Sequence, residues 1–462
     1  MSVKPFSGSN GVRSPSPVAD TLPWITHFAR SQQLRAKSHA LIPGGAHTYA
    51  KGDDQYPELA PGFIVRGAGS HVWDVDGNEF IEYGMGLRSV TLGHGYAPVV
   101  EAAHRAMLNG INFTRPAALE IDAAEQLLDL IPGAEMVKFA KNGSDVTTAA
   151  VKLARAATGR DMVGICVDHP FFSVDDWFIG ASAMNAGIPQ AVQDLTVPFR
   201  YNDVASVQAL FDQYPGRIAC LIMEPEKYSP PEDDFLHKVQ QLCHANGALF
   251  IFDEIITGFR HDLHGAQGKY GVVPDLSTFG KALGNGFSIA ALVGKREFMD
   301  LGGLYHDKDR VFLLSTTYGA ETHCLAAALE TMRIYREEDV VGYLAYQGTR
   351  LADGIRGAID AHGLNEYVDV VGFPCNLVYG TRDAEGNPSQ WFRALFMQET
   401  IKRGLLMPSL ILSYSHSDAD VDRTVAAIDD ALHVYRRALA DGVDKYLVGG
   451  PTQPVFRRFN RV

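Results

Sequence analysis

Short apolar segments alternate with helical patterns through the middle of the chain, from about residue 97 to 330. Apolar positions recur at helical spacing between them, for example over residues 145–157 and 235–246. Segments of five or six nearly all apolar residues are typical of strands buried on both faces of a parallel sheet. They lie at residues 136–140, 162–167, 218–223, 248–253 and 290–294. The alternation predicts a large α/β domain, in which ligands bind at the carboxyl ends of the strands.

The pattern changes on both sides of this region. Near the N-terminus, a helical pattern over residues 24–41 precedes a hairpin signal, in which Asp76-Gly77 separates two alternating segments. After about residue 335, short strand patterns around residues 367–380 are mixed with helical patterns. These helical patterns lie at residues 338–361, 390–403 and 418–440. The two ends together predict a smaller α+β domain.

These patterns divide the chain into five predicted parts. They are a flexible arm at residues 1–22, the N-terminal part of the small domain at 23–90, the large domain at 91–335, the C-terminal part of the small domain at 336–445 and a tail at 446–462. The arm is rich in Ser, Pro and Gly and lacks the apolar core of a secretion signal.

Composition narrows the class of protein. The chain has 462 residues and a net charge of −13, which argues against nucleic acid or an anionic membrane surface as a partner. No apolar stretch has the length of a membrane span. The five cysteines show no paired spacing, so we expect reduced core thiols in a cytoplasmic protein and no metal site.

An acid and a lysine follow two successive strand patterns. Asp253 ends an apolar segment, and Lys281 comes 28 residues later, after Ser277-Thr278-Phe279-Gly280. A lysine can hold pyridoxal 5′-phosphate as a Schiff base, and an acid can keep its pyridine nitrogen protonated. Either residue alone has an ordinary explanation at the edge of a core. Together they favour the cofactor, with Ile255 packed under its ring and Glu254 pointing away from it.

Three further segments could contact this cofactor. Asn142-Gly143-Ser144 lies between a strand and a helix, where free N–H groups bind phosphate, although capping of the helix by Ser144 or Asp145 explains the same residues. The hydroxyl-rich segment around Thr316 precedes an alanine-rich helix and has the same two explanations. Phe171 follows a predicted strand and could stack on a flat ring, although aromatic residues in core loops are commoner.

These segments together resemble the class III aminotransferases of fold type I, and in particular their glutamate-1-semialdehyde 2,1-aminomutase-like branch. The resemblance extends over about residues 30–440. The matching motifs are Ile42-Pro43-Gly44-Gly45, Trp73-Asp74-Val75-Asp76-Gly77, Leu92-Gly93-His94, the segment from Phe252 to Arg260, and Phe279-Gly280-Lys281.

The resemblance implies a mostly parallel sheet of the seven-stranded type, pyridoxal 5′-phosphate as cofactor and a homodimer with shared active sites. It implies that Lys281 is the Schiff-base lysine and proton shuttle, that Asp253 pairs with the pyridine nitrogen and that Ile255 packs on the ring. It places Gly143 and Ser144 where the family binds the cofactor phosphate, Asn142 among the cofactor-binding residues, Phe171 over the ring, and Thr316 at the phosphate of the neighbouring subunit.

The chain departs from the family pattern at its substrate side. Phe171-Phe172-Ser173 replaces a Tyr-His-Gly segment. The segment after Ile42-Pro43-Gly44-Gly45 contains His47 and Lys51 but not the arginine of the aminomutases. Gly86-Leu87-Arg88 replaces an aromatic segment. The candidate substrate residues are therefore Arg88, Lys51, His47 and Phe172, and glutamate semialdehyde is not the expected substrate.

The predicted function is a transaminase that moves an amino group from a small-molecule donor, glutamate by default, to an aldehyde or ketone acceptor. The resemblance suggests an oxidised sugar or a secondary-metabolite intermediate as acceptor, as in amino sugar biosynthesis. An aminomutase remains an alternative, as does a lyase, epimerase or dehydratase that uses the same carbanion. A binding protein without catalytic activity is another class, which the presence of both Lys281 and Asp253 argues against.

Overall fold

The computed structural model of the chain describes residues 24–169 and 171–460. The predicted arm at residues 1–22 lies outside the described residues. The strands within the described ranges are β1 (Ile64–Ala68), β2 (His71–Asp74), β3 (Glu79–Glu82), β4 (Met136–Ala140), β5 (Met162–Cys166), β6 (Thr196–Phe199), β7 (Ile218–Met223), β8 (Leu249–Asp253), β9 (Leu276–Phe279), β10 (Ala290–Gly294), β11 (Val368–Phe373), β12 (Asn376–Thr381) and β13 (Leu405–Leu406).

Helices connect and cover these strands. They are α1 (Ala29–Leu41), α2 (Met85–Arg88), α3 (Ala97–Leu108), α4 (Leu119–Leu130), α5 (Gly143–Thr158), α6 (Asp176–Ile179), α7 (Gln190–Gln193), α8 (Val204–Gln213), α9 (Phe235–Ala245), α10 (Gly265–Tyr270), α11 (Arg296–Met299), α12 (Thr322–Glu337), α13 (Val340–Ala361), α14 (Gln390–Lys402) and α15 (Asp418–Asp441). A 3₁₀ turn at Lys281–Gly284 follows β9.

Among the described residues, the large sheet has seven strands in the order β4-β10-β9-β8-β7-β5-β6. Only β10 runs antiparallel to its neighbours within this sheet, as an antiparallel partner of both β4 and β9. The predicted mostly parallel α/β sheet is therefore confirmed. All five apolar segments form strands, and each of the central strands β7, β8 and β9 is buried along its whole length.

The two ends of the chain meet in a smaller sheet. Strands β1, β2 and β3 form an antiparallel meander, and β13 from the C-terminal part adds to β3 in parallel. The predicted hairpin at Asp76-Gly77 is confirmed as the turn between β2 and β3. The strands β11 and β12 form a separate antiparallel pair beside α13 and α14.

The first helix is shorter than predicted. It begins at Ala29, whereas the sequence pattern placed its start near Trp24. The backbone N–H of Ile25 donates to the carbonyl of Lys402, and the guanidinium of Arg403 lies 5.0 Å from the Trp24 ring centroid. These contacts hold residues 24–28 against the end of α14, so the helical pattern does not form a helix there.

Two further properties of the described residues bear on the expectations from composition. All five cysteines are buried and unpaired with one another. Among the helices of the described ranges, none combines the length and the hydropathy needed to cross a membrane.

Candidate active site

Three acidic or basic side chains meet where neighbouring strands of the large sheet end. Asp253 is the last residue of β8, Glu224 follows the last residue of β7, and Lys281 begins the turn just after β9. Because β7, β8 and β9 are adjacent and parallel, these residues lie at one edge of the sheet. The structure thus brings together the predicted pair of Asp253 and Lys281.

The carboxylate of Asp253 is held on one side only. Its Oδ1 accepts hydrogen bonds from the backbone N–H of Ile255 at 3.0 Å and from the Thr278 hydroxyl at 3.2 Å. The residue is 4% exposed, and its Oδ2 has no hydrogen-bond partner among the described residues. A cation or a protonated ring nitrogen would satisfy this second oxygen.

Burial and neighbouring charges shift both members of the pair toward their neutral forms. Burial raises the pKa of Asp253, and the nearby carboxylate of Glu224 raises it further. Burial lowers the pKa of Lys281, and the positive charges of Arg88 and Arg260 contribute in the same direction. A lysine with a lowered pKa is nucleophilic near neutral pH and can both attack a carbonyl and accept a proton.

The backbone at Lys281 is itself unusual. Its φ of +44° lies in the left-handed region, which a residue with a Cβ rarely adopts. Strain of this kind persists only where the surroundings hold it, and it occurs often at functional sites. The residues on either side are tightly placed, since Phe279 is fully buried and Asn285 donates to and accepts from the segment at Leu92-Gly93.

The N-terminus of α5 forms the candidate phosphate site. The helix begins at Gly143, and its cap is Asn142, which exchanges hydrogen bonds with Asp145 in a capping box. The sequence placed the cap at Ser144 or Asp145, and this was wrong because the side chain of Asn142 accepts from the third residue of the helix. The N–H groups of Gly143 and Ser144 have no partner among the described residues, so they could bind an anion.

Ile255 connects this helix to the acid. A Cβ at Gly143 would lie 2.6 Å from Cδ1 of Ile255, so only a glycine allows the isoleucine to pack this closely. The residue is 8% exposed. Ile255 therefore lies between Asp253 and the start of α5. An apolar side chain there could pack against the face of a flat ring. The ring nitrogen would then pair with the acid, and a phosphate on the ring would bind at the helix N-terminus.

The structure surrounds this group with charged residues that the sequence did not single out. Glu224 forms a buried ion pair with Lys227 at 2.7 Å, and its Oε2 has no partner among the described residues. Burial opposes ionisation of Glu224, but Lys227 holds its pKa below the usual range. The buried imidazole of His169 accepts from the Glu224 backbone N–H through Nδ1 at 3.1 Å. The position of Glu224 after β7, matching that of Asp253 after β8, was the signal that could have identified it.

Of the four candidate substrate residues, Arg88 lies close enough to Lys281 for its charge to lower the pKa of that lysine. Its Nε donates to Oδ1 of Asn376 at 2.9 Å. His47 and Lys51 are exposed on the segment after α1, and no hydrogen bond or ion pair between described residues connects them to the site. Phe172 is 1% exposed and packs edge-on against Phe178 in the core. Their roles stay predictions.

Phe171 and Thr316, the two remaining candidates for contact with the cofactor, lie at the surface of the chain. Phe171 is 44% exposed and packs edge-on against Phe178, with Phe456 on another side. Thr316 is exposed in the segment before α12, where the Thr316 carbonyl accepts from the N–H of Gly319. Exposure of Thr316 agrees with a role toward a second subunit, and that role stays a prediction.

The described residues fit pyridoxal 5′-phosphate on chemical grounds. They supply an amine with a lowered pKa, a buried carboxylate with one free oxygen, an apolar side chain beside both and a helix N-terminus with free N–H groups. Lys281, Asp253, Ile255, Gly143 and Ser144 would hold it.

Comparison with known proteins agrees with this chemistry. The family model described as "Aminotransferase class-III" matches residues 52–372. Glutamate-1-semialdehyde 2,1-aminomutase of Francisella philomiragia subsp. philomiragia is 31% identical over 424 residues, which cover 86% of this chain and 96% of that protein. The internal aldimine form of the FumI protein of Sphingopyxis sp. MTA144 superposes with a TM-score of 0.81 at 27% identity, covering 89% of this chain and 98% of that one. An omega-transaminase of Sphaerobacter thermophilus gives 0.79 at 26% identity, covering 88% and 98%.

Proposed function

The chain belongs to the class III aminotransferase family and uses pyridoxal 5′-phosphate, and we propose that it transfers an amino group from an amino-acid donor, glutamate by default, to an aldehyde or ketone. The observation that carries the proposal is the meeting of Lys281 and Asp253 at adjacent strand ends, each with its pKa shifted toward the neutral form.

Each residue of the site has a distinct task in this reaction. The bound cofactor supplies an electron-withdrawing ring that stabilises negative charge on the substrate carbon. The amine of Lys281 would take the proton from that carbon and deliver it to the carbon on the other side of the transferred nitrogen. It can do so because its lowered pKa leaves part of the amine neutral. Asp253 would pair with the protonated ring nitrogen, for which its Oδ2 is available among the described residues, and Ile255 would exclude water from one face of the ring.

The acceptor that we propose is an oxidised sugar or a similar hydroxylated carbonyl compound. Tyr228 and Glu224 lie close enough to Arg88 to affect its pKa. Polar groups of this kind suit a hydroxylated or charged molecule better than a hydrocarbon. An aminomutase is the second candidate, because the Francisella relative that carries this name is 31% identical over nearly the whole chain. An aminomutase needs one substrate, whereas a transaminase needs a donor and an acceptor.

We further propose that two copies of the chain share their active sites. Large apolar side chains are exposed near Thr316 on two segments of the chain. The side chain of Asn112 connects these segments by donating a hydrogen bond to the Thr317 carbonyl at 2.9 Å. Phe113 and Tyr318 neighbour the bonded residues Asn112 and Thr317 in sequence, and Leu108 and Phe312 are exposed on the same two segments; these four side chains are called the patch. Grouped exposed apolar side chains mark protein interfaces, so the patch supports a dimer contact beside the threonine.

The visible spectrum of the purified protein tests the proposed function. We expect a cofactor band that bleaches when glutamate or another amino donor is added, and that does not respond in Lys281→Ala. Lys238→Ala, a substitution of an exposed lysine on α9, is the matched control and should behave as the wild type. Catalysis by Lys281 should contribute on the order of 10² to 10⁴ in rate.

Two outcomes would contradict the proposal. A band that no amino donor changes would favour single-substrate chemistry. A normal donor reaction in Lys281→Ala would remove this lysine from the mechanism.

A further inference from the structure

The short element α2, between β3 and α3, is a left-handed turn and not a right-handed helix, and the sequence pattern does not explain it. The φ angles of Met85, Gly86, Leu87 and Arg88 are +41°, +58°, +58° and +73°. Only one of the four is a glycine. The other three lie in a region that residues with a Cβ rarely adopt. A turn of this kind needs contacts that hold it in place.

The large domain supplies those contacts. The fully buried guanidinium of Arg260 donates through Nη2 to the carbonyl of Arg88 and, at 3.1 Å, to the hydroxyl of Thr91. The hydroxyl of Ser89 donates to the Gly86 carbonyl at 2.8 Å. The backbone N–H of Arg88 donates to the Gly84 carbonyl at 3.0 Å. The strained conformation is therefore fixed from several directions, which is the usual condition for strain at functional sites.

The turn positions the side chain of Arg88 beside the reacting centre. Its Nε donates to Asn376, which is 4% exposed at the start of β12, so one edge of the guanidinium is fixed. The terminal nitrogens, Nη1 and Nη2, make no hydrogen bond to any residue of the described ranges. Arg88 is half-buried, and its charge is close enough to lower the pKa of Lys281.

No side chain of the described part of the molecule neutralises this guanidinium in an ion pair. The nearest acid by charge effect is Glu224, but its Oε1 is bound to Lys227 at 2.7 Å. Burial without a partner already lowers the pKa of Arg88. A half-buried guanidinium whose fork is open gains most from a planar anion that accepts two parallel hydrogen bonds.

We propose that Arg88 determines specificity by binding a carboxylate of the substrate, at a distance from the carbon that reacts at Lys281. One unpaired guanidinium balances one negative charge, so a carboxylate fits better than a doubly charged phosphate. This inference rests on the proposed function, because that function identifies the bound carboxylate as part of a substrate. It implies that the left-handed turn is kept because it directs the fork of Arg88 to this carboxylate.

The test measures binding of a carboxylate that cannot react. Butyrate is titrated into the holoenzyme while the visible cofactor band is recorded, with propylphosphonate as the second anion and butanol as the uncharged match. We expect butyrate alone to perturb the band in the wild type. Arg88→Gly should bind butyrate about 10-fold to 100-fold more weakly, because hydrogen bonds to a charged group are lost.

The same variant tests the strain. Glycine adopts a φ of +73° without steric cost, so Arg88→Gly should unfold at a higher temperature than the wild type while it loses butyrate affinity. Arg88→Lys keeps the charge but not the fork and should bind with intermediate affinity. Asp233→Gly, at an exposed residue with a φ of +46°, is the matched control for strain relief and should keep full butyrate affinity.

Each result decides between the inference and its rivals. Unchanged butyrate affinity in Arg88→Gly, or no effect of butyrate on the wild type, would overturn it. Propylphosphonate binding that depends on Arg88 more strongly than butyrate binding would overturn the assignment of a carboxylate. If no amino donor bleaches the band but butyrate binding still requires Arg88, the proposed function fails and the anion site stands.

Discussion

At the residue scale, the surroundings of two adjacent acids, Asp253 and Glu254, give the first a chemical role and the second a structural role. Both are buried at the end of β8. Glu254 is fully occupied, because its carboxylate accepts from the Thr257 hydroxyl and from the N–H groups of Ala266 and Gln267 at 2.9 and 2.8 Å. Asp253, in contrast, has one carboxylate oxygen without a partner in the described part of the chain. Only Asp253 has the capacity for a ligand.

We therefore predict opposite effects of two matched amide substitutions. Asp253→Asn should leave a folded protein that binds the cofactor but reacts with amino donors about a hundredfold more slowly or worse, since the ring nitrogen loses its charged partner. Glu254→Gln should react at a normal rate once loaded but unfold at a lower temperature, because a bond to a charged acceptor contributes about 1.5–3 kcal/mol. Stopped-flow kinetics and thermal unfolding of both variants check this. Equal kinetic losses in both would refute the distinction.

Sequence reasoning identified Asp253, Lys281, Ile255 and Arg88 as site residues, but it did not identify Glu224 or the contact that Arg260 makes. The pair of Asp253 and Lys281 was recognisable because each residue ends or follows an apolar strand, and parallel strands bring their ends together. Arg260 lies in a recognised motif, yet its contact with the Arg88 carbonyl joins residues 172 positions apart. Such contacts depend on how loops fold over the sheet, and local patterns carry no information about them.

Elements were predictable where burial imposes a clear pattern. Strands covered on both faces are mostly apolar, and four of the five apolar segments became such strands. The fifth, β4, lies at the edge of the sheet and is only partly buried. Strand β6 was missed, since it has four residues, Thr196–Phe199, and includes Pro198, which argues against a strand. The turn at Met85–Arg88 was missed for a different reason. Left-handed conformations of leucine and arginine are unfavourable locally and exist only through tertiary contacts.

Helix α5 allows a prediction at the scale of elements, because one of its glycines contacts the site and a comparable glycine in α13 does not. A Cβ at Gly143 would collide with Ile255, whereas a Cβ at Gly357 has nothing within 4 Å. Gly143→Ala should weaken cofactor binding at the helix N-terminus by displacing Ile255. Gly357→Ala should leave cofactor binding unchanged and stabilise α13 by up to about 1 kcal/mol.

The measurement is a cofactor titration of both apo variants, followed by thermal unfolding. Wild-type cofactor affinity in Gly143→Ala would show that close packing between Ile255 and the start of α5 does not matter for the site. A loss of affinity in Gly357→Ala would show that the assay reports general stability and not the phosphate site.

At the scale of the molecule, the proposed dimer assigns a reason to features that the single chain leaves unexplained. Thr316 is exposed, although its segment lies directly before α12, which is a position typical of a phosphate-binding segment. The patch of Leu108, Phe113, Phe312 and Tyr318 is exposed beside it, at a cost that burial against a second copy would remove. Lys281 and Asp253, in contrast, meet within one chain.

Mixed dimers test this arrangement directly. Lys281→Ala should be inactive, and Thr316→Val should be active only at high cofactor concentration. If each threonine serves the site of the other subunit, a hybrid of the two has one site with both lesions and one with neither. We expect co-expressed Lys281→Ala and Thr316→Val subunits to gain activity at low cofactor concentration, where neither variant alone is active.

The control hybrid combines Lys281→Ala with Asp253→Asn. Because Lys281 and Asp253 act in the same chain, each site of this hybrid keeps one lesion, and activity should stay low. Gain of activity in the control would mean that the sites are assembled differently from the proposed dimer. Absence of gain in the first hybrid, with hybrid formation verified by native mass spectrometry, would mean that Thr316 serves its own subunit or no site, and the exposed patch would then need another partner.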